Sequence, residues 1–120
     1  MVKLLKPFKY AISGLLFCFK TQQNFKVHLL LATITLVAGA CLQISQWQWI
    51  VISFCISMVL AAELFNSAIE KICDHVNPAY HPQIKIIKDM AAGAVLVVAL
   101  MSIVTGLLVF IPAILNYINS

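Results

Sequence analysis

Three long apolar stretches divide the chain, and its polar residues are concentrated before and between them. The stretches cover 27–44, 47–62 and 90–114, each close to the ~20 residues that a helix needs to cross a bilayer core. They lack the polar alternation of membrane β-strands. Because backbone groups in lipid must hydrogen-bond within their own segment, the pattern predicts transmembrane helices at about 25–44, 47–74 and 86–114.

A shorter pattern precedes these stretches, at about residues 4–20. Phe8, Ile12, Leu15 and Phe19 lie on one stripe of a helix, and lysines lie beside that stripe. An aromatic stripe can enter the acyl boundary of a bilayer while neighbouring lysines reach anionic headgroups. We therefore expect an amphipathic helix that lies in the membrane interface.

The composition supports a membrane protein. The chain has 62% hydrophobic and 10% charged residues, with a mean hydropathy of +1.00, which is too apolar for a soluble domain of this size. The predicted fold is an all-α membrane protein in which an N-terminal interfacial helix precedes three transmembrane helices. We expect residues 1–120 to form a single domain.

The lysines indicate how the chain is oriented. All eight cationic residues are lysines, and none lies in 41–49 or 112–120. Under the positive-inside rule, the N-terminus and the loop around 75–86 are cytosolic, while the turn at 44–48 and the C-terminus face outward. The net charge of +4 follows from this placement, so nucleic-acid binding is not expected.

Three of the four acidic residues share one face of the second predicted span with an asparagine. This set is Glu63, Asn66, Glu70 and Asp74. At 100° per residue the four positions fall within an arc of about 80°. A helix from residue 47 to 75 is about 42 Å long, so Glu63 lies near the inner membrane boundary and Asp74 in the cytosol. Lys88 and Asp89 begin the next helix on the same side.

An acidic residue at membrane depth indicates a functional site, because placing it there is costly. Carboxylates with an amide between them suit Mg²⁺ that carries phosphate. A carboxylate nearer the lipid can accept a hydroxyl proton. In the structural alternative, Glu70 and Asp74 are surface charges and Glu63 pairs with a lysine for packing. A small channel or assembly partner is a further alternative, but a channel predicts charge in the outer half, and 42–60 contains none.

The run AAELFNSAIEKICDHVNPAYHPQIKIIKDMAAGAVLV, at 61–97, resembles the prokaryotic diacylglycerol kinase and undecaprenol kinase family. The family hallmark is E-x-x-N-[ST]-A-[IV]-E-x-x-x-D, followed by H and K-D. The segments FKYAISGL and FKTQQNFKVH extend the resemblance over nearly the whole chain. It implies a homotrimer with shared active sites in the bacterial inner membrane. There it would transfer the γ-phosphate of MgATP, on the cytosolic side, to the hydroxyl of diacylglycerol or undecaprenol.

The resemblance also implies roles for the clustered residues. Glu63 resembles the general base that takes the proton of the lipid hydroxyl, and Glu70 resembles a Mg²⁺ ligand in the nucleotide site. Asn66 would position substrate or phosphate, while Lys88 and Asp89 would meet the phosphates and metal of the nucleotide. Such a site fits phosphoryl transfer, in which catalysis is mostly positioning and charge neutralisation.

Four further positions carry expectations from the family. Lys3 and Tyr10 match positions near the nucleotide, and His81 lies in the loop that covers it. Gln22 stands where the family has a glutamate that binds a second metal ion, and a neutral amide oxygen attracts Mg²⁺ less strongly. A catalytically weakened or non-catalytic protein of the same fold is therefore the alternative to a fully active kinase.

Overall fold

The computed structural model describes residues 2–120, and this part of the chain contains helices and no strand. The four helices are α1 (Val2–Thr21), α2 (Gln23–Leu42), α3 (Gln46–Val76) and α4 (Pro82–Asn119). Helices α2, α3 and α4 are each long and apolar enough to cross a membrane. The predicted all-α membrane fold, with an N-terminal helix before three apolar ones, is confirmed.

Helix α3 is the central element of the bundle. In its most apolar stretch 28% of the residues are buried, compared with 11% in α2 and 6% in α4. It makes its most extensive contact with α4 and also contacts α1 and α2. Most large apolar side chains on α2 and α4 are exposed, as expected for surfaces that face lipid or other subunits.

The turn between α2 and α3 is fixed by local hydrogen bonds. Gln43 adopts a left-handed conformation, with φ 53°, and ends α2. Ser45 and Gln48 form a reciprocal capping box at the start of α3, which satisfies two backbone donors that would otherwise lack partners. Gly39 lies directly against the indole of Trp49. Helices α2 and α3 are therefore antiparallel and in close contact at this corner.

Both long helices exceed the ~30 Å thickness of a hydrocarbon core. Helix α3 has 31 residues and α4 has 38, or about 46 and 57 Å at 1.5 Å per residue. Helix α4 begins before the predicted 86–114 segment because His81 caps it and Pro82 occupies its first turn, where proline is tolerated. A small apolar core of Ile44, Ile52 and Val109 lies at the end of the bundle that holds the turn between α2 and α3. The other end, which holds the loop between α3 and α4, is left for polar residues.

Candidate active site

The buried polar residues of the described chain form one cluster on α3. Glu63, Asn66 and Ser67 are 3%, 8% and 4% exposed. They occupy positions i, i+3 and i+4, which share one face of a helix. This face is turned into the bundle. The geometry thus brings together Glu63 and Asn66, two of the predicted site residues, in a setting shielded from solvent.

Glu63 is paired with a histidine from α2. Its Oε1 lies 3.1 Å from Nε2 of His28, and the two side chains are 5% and 21% exposed. Sequence reasoning did not identify His28 as a site residue. The available signal was that His28 is the single residue among Asp, Glu, Lys, Arg and His between positions 27 and 62, and an ionisable residue inside a membrane helix is a functional candidate.

Asn66 also connects to the third predicted residue, Glu70. Its Nδ2 lies 3.4 Å from Oε1 of Glu70. The carbonyl Oδ1 of Asn66 is buried and has no hydrogen-bond partner in the described residues. A buried acceptor without a partner costs about 1–3 kcal/mol, so natural proteins keep few of them and often use them for a ligand. The unpartnered Asn66 Oδ1 is therefore available to accept from a donor or to bind a cation.

These oxygens fit the coordination preference of Mg²⁺. The ion takes oxygen ligands, and proteins supply one or two carboxylates while water and substrate phosphates supply the rest. Glu70 provides a carboxylate beside the unpartnered Asn66 carbonyl. Residues 2–120 hold no group of three or more His, Cys, Asp or Glu side chains arranged for a metal ion. A Mg²⁺ ion at Glu70 would thus depend on phosphate oxygens for much of its coordination.

Two ion pairs lie at the loop end of α3 and α4. Nζ of Lys88 lies 2.6 Å from Oδ1 of Asp74, and Nζ of Lys85 lies 2.6 Å from Oδ2 of Asp89. The pKa of Lys85 is raised above its ordinary value because the Asp89 carboxylate accepts a hydrogen bond from the ammonium. Exposed pairs contribute little to stability. A phosphate group can therefore draw Lys88 from its partner at small cost.

Helix α1 meets the bundle near its C-terminal end. The ammonium of Lys71 lies 4.6 Å from the ring centroid of Phe17, a cation–π contact between α3 and α1. Lys3 and Tyr10 are exposed on α1, and Tyr10 precedes Phe17 by about 10 Å along the helix axis. The structure gives neither side chain a contact with the α3 cluster. His81 is also exposed, in the loop before α4.

The match to known proteins covers most of the chain. The family model for prokaryotic diacylglycerol kinase matches residues 9–110. The chain belongs to this family. The kinase is 36% identical over 110 residues to an undecaprenol kinase of Bacillus subtilis, covering 92% of this chain and 89% of the relative. It is 34% identical over 114 residues to a diacylglycerol kinase of Synechocystis, covering 94% of this chain and 65% of that relative.

A more distant relative is a diacylglycerol kinase of Escherichia coli, 23% identical over 103 residues, covering 86% of the kinase and 84% of the relative. The recognition made from the sequence is therefore confirmed, and the protein is a membrane-bound lipid kinase. The relatives carry two acceptor names, undecaprenol and diacylglycerol.

The position of Gln22 follows from the register between α2 and α3. The His28 and Glu63 side chains are in contact, and α2 and α3 are antiparallel. Gln22 lies six residues before His28, and Glu70 lies seven residues after Glu63, so both are displaced by about 9–10 Å toward the same end of the bundle. This places Gln22 of the kinase at about the depth of Glu70. Gln22 is half-buried at the N-terminus of α2, and its side chain makes no capping hydrogen bond. Its amide is therefore not committed to the helix end.

Proposed function

We propose that this kinase transfers the γ-phosphate of ATP to the hydroxyl of a membrane lipid, with Mg²⁺ as cofactor. The observation that carries the proposal is the buried carboxylate of Glu63 at the end of the apolar part of α3, followed by the Asn66 and Glu70 oxygens. An acceptor lipid presents its hydroxyl near the membrane surface. The phosphate donor arrives from water. The α3 cluster occupies the depth at which these two meet.

In this reaction Glu63 acts as the general base. Its carboxylate accepts the proton of the lipid hydroxyl while the hydroxyl oxygen forms a bond to the γ-phosphorus, and ADP leaves with the electrons of the broken bond. Bound Mg²⁺ supplies charge neutralisation at the phosphates. Glu70 and Asn66 would hold the ion through carboxylate and carbonyl oxygens. Lys88 and Asp89 would meet the phosphates and metal of the nucleotide from α4.

The proposed acceptor is diacylglycerol or undecaprenol. Each has one hydroxyl at the interface and a long apolar tail, and the residues that face the tails in α2, α3 and α4 are mostly aliphatic. The names of the relatives support both. The products would be phosphatidic acid and undecaprenyl phosphate.

The lysine distribution supports a location in the bacterial inner membrane with the N-terminus and the active site in the cytosol. The exposed apolar surfaces of α2 and α4 and the family membership support a homotrimer whose active sites are shared between subunits. The described chain would contribute Glu63, Asn66 and Glu70 to such a site, and Lys3 and Tyr10 are exposed on α1. A neighbouring subunit can supply the α1 residues.

Gln22 supports a second candidate, a catalytically weakened kinase of the same fold. The amide lies at the depth of Glu70 but carries no negative charge. Mg²⁺ is then held mainly by one carboxylate and by phosphate oxygens. In this case, transfer is expected at Mg²⁺ concentrations well above those that saturate a site with two carboxylates.

The test is transfer of labelled phosphate from ATP to lipid by the purified protein in nanodiscs. Diacylglycerol and undecaprenol are supplied separately, and Mg²⁺ is titrated. We expect Glu63→Gln to lower kcat by about 100-fold or more, the range attributed to a general base. Ser57→Ala is the control, because the Ser57 hydroxyl only bonds the carbonyl of Ser53 in its own helix. No transfer to either lipid at any Mg²⁺ concentration, or full activity of Glu63→Gln, would overturn the proposal.

A further inference from the structure

We propose that His28 is a positioning residue for the base. It donates its Nε2 hydrogen to Oε1 of Glu63, holds this carboxylate in one orientation at membrane depth, and leaves the second carboxylate oxygen to accept the lipid hydroxyl proton. This inference rests on the proposed function, in which Glu63 is the base. It assigns a role to an α2 residue that makes no other recorded polar contact.

Burial is the first reason. The Glu63 side chain is 5% exposed, and burying a carboxylate is costly unless donors replace the lost solvation. His28 Nε2, at 3.1 Å, is the one Lys or His nitrogen in ion-pair contact with Glu63 in residues 2–120. The contact joins two helices, α2 and α3, so it also fixes the direction in which the carboxylate points.

Among residues 2–120, no lysine forms an ion pair with Glu63. Its own helix places Asn66 and Glu70 on the same face, and these two side chains bond each other. On α4, the Lys88 contact with Asp74 sets the register. Glu63 lies eleven residues, or about 16 Å, from Asp74 along α3, and Ala99 lies equally far from Lys88 along α4. Ala99 is therefore level with Glu63, and α4 is apolar at this level. Its charged residues Lys85, Lys88 and Asp89 lie near the loop and are engaged in the two ion pairs.

The chemistry of imidazole suits this role. A neutral imidazole has a single N–H donor, so it can orient a carboxylate without the full opposing charge of a lysine, which would make the carboxylate a weaker base. His28 also lines an apolar groove of about 390 Å³ between α2, α3 and α4, at the end nearest the polar cluster. The pair therefore lies where the polar end of an acceptor lipid would adjoin its tail.

Two substitutions separate donation from packing. Gln can place an amide N–H close to the position of Nε2, whereas Leu fills similar space without a donor. We expect His28→Leu to lower kcat by about 10- to 100-fold, a part of the general-base contribution, with the KM for ATP changed less than about twofold. His28→Gln should recover most of the rate. Thr35→Val is the control in the same groove, since Thr35 only bonds the carbonyl of Leu31.

A spectroscopic readout keeps this inference distinct from the kinase proposal. Infrared difference spectra should show the carboxylate bands of Glu63 shifted in His28→Leu relative to wild type and His28→Gln, and these bands should be absent when His28→Leu is combined with Glu63→Gln. Equal loss of kcat in the Gln and Leu variants, or an unchanged spectrum in His28→Leu, would overturn the positioning role. If wild type transfers no phosphate but the carboxylate bands shift in His28→Leu, the pairing stands and the kinase proposal fails.

Discussion

At the residue scale, the proposed Mg²⁺ site depends on the side chains around Glu70. Asn66 Oδ1 is buried without a partner, and its amide nitrogen lies 3.4 Å from Glu70. An arrangement selected only for stability would pair or remove this oxygen, because an unsatisfied buried acceptor is destabilising. In the proposed function, a bound ligand supplies the partner that the Asn66 oxygen lacks in residues 2–120.

Gln22 provides a direct test of metal binding. We expect Gln22→Glu to lower the Mg²⁺ concentration for half-maximal transfer by about tenfold, because a second carboxylate at the depth of Glu70 attracts the ion more strongly. A Mg²⁺ titration of wild type and variant measures the change. Gln23→Glu is the matched control, because this substitution adds the same charge one residue away, at an exposed position. An equal response of the two variants would show a general charge effect and exclude coordination by residue 22.

The sequence was sufficient to group Glu63, Asn66 and Glu70, because helical geometry alone puts their spacing on one face. It could not reveal the contact of Glu63 with His28. That contact depends on the register of α2 against α3, which is set by the turn at Gln43 and by tertiary packing. The ion pair between Lys88 and Asp74 was likewise not predictable, because it joins residues on two helices that are separated by a loop.

At the scale of elements, packing at the corner between α2 and α3 fixes the register of these two helices. A Cβ added at Gly39 would lie 2.8 Å from Cη2 of Trp49 and 3.1 Å from Cδ1 of Ile44. Either the Trp49 indole or the two helices must therefore shift to accept the added methyl group. The glycine thus permits a close approach of the two helices that a larger residue would prevent.

We expect Gly39→Ala to lower the free energy of unfolding by about 1–3 kcal/mol, the usual cost of overpacking. Gly106→Ala is the control, because a Cβ there meets nothing within 4 Å. It should be neutral or stabilising by up to about 1 kcal/mol, as alanine favours helix. Unfolding in mixed micelles measures both variants. If Gly39→Ala were as stable as Gly106→Ala, the corner between α2 and α3 would accommodate the methyl group without cost and would not fix the register of the two helices.

At the scale of the whole molecule, the proposal that subunits share active sites can be tested. Lys3 and Tyr10 are exposed on α1, remote along that helix from its contact at Lys71, whereas Glu63 and Glu70 lie on α3. If neighbouring subunits of a homotrimer supply the two halves, complementary defects can rescue each other. A variant with both Lys3→Ala and Tyr10→Ala retains the α3 half, and Glu63→Gln retains the α1 half.

We expect the two inactive variants, mixed in equal amounts before reassembly from denatured chains, to recover about a quarter of the wild-type rate. Random closed assembly gives each site two intact halves with that frequency. Each variant reassembled alone controls for residual activity, and a mixture of wild type with Glu63→Gln gives the yield of active sites per chain. Absence of recovery in a mixture that forms trimers would mean that each subunit builds its site alone, with α1 folding back onto its own α3.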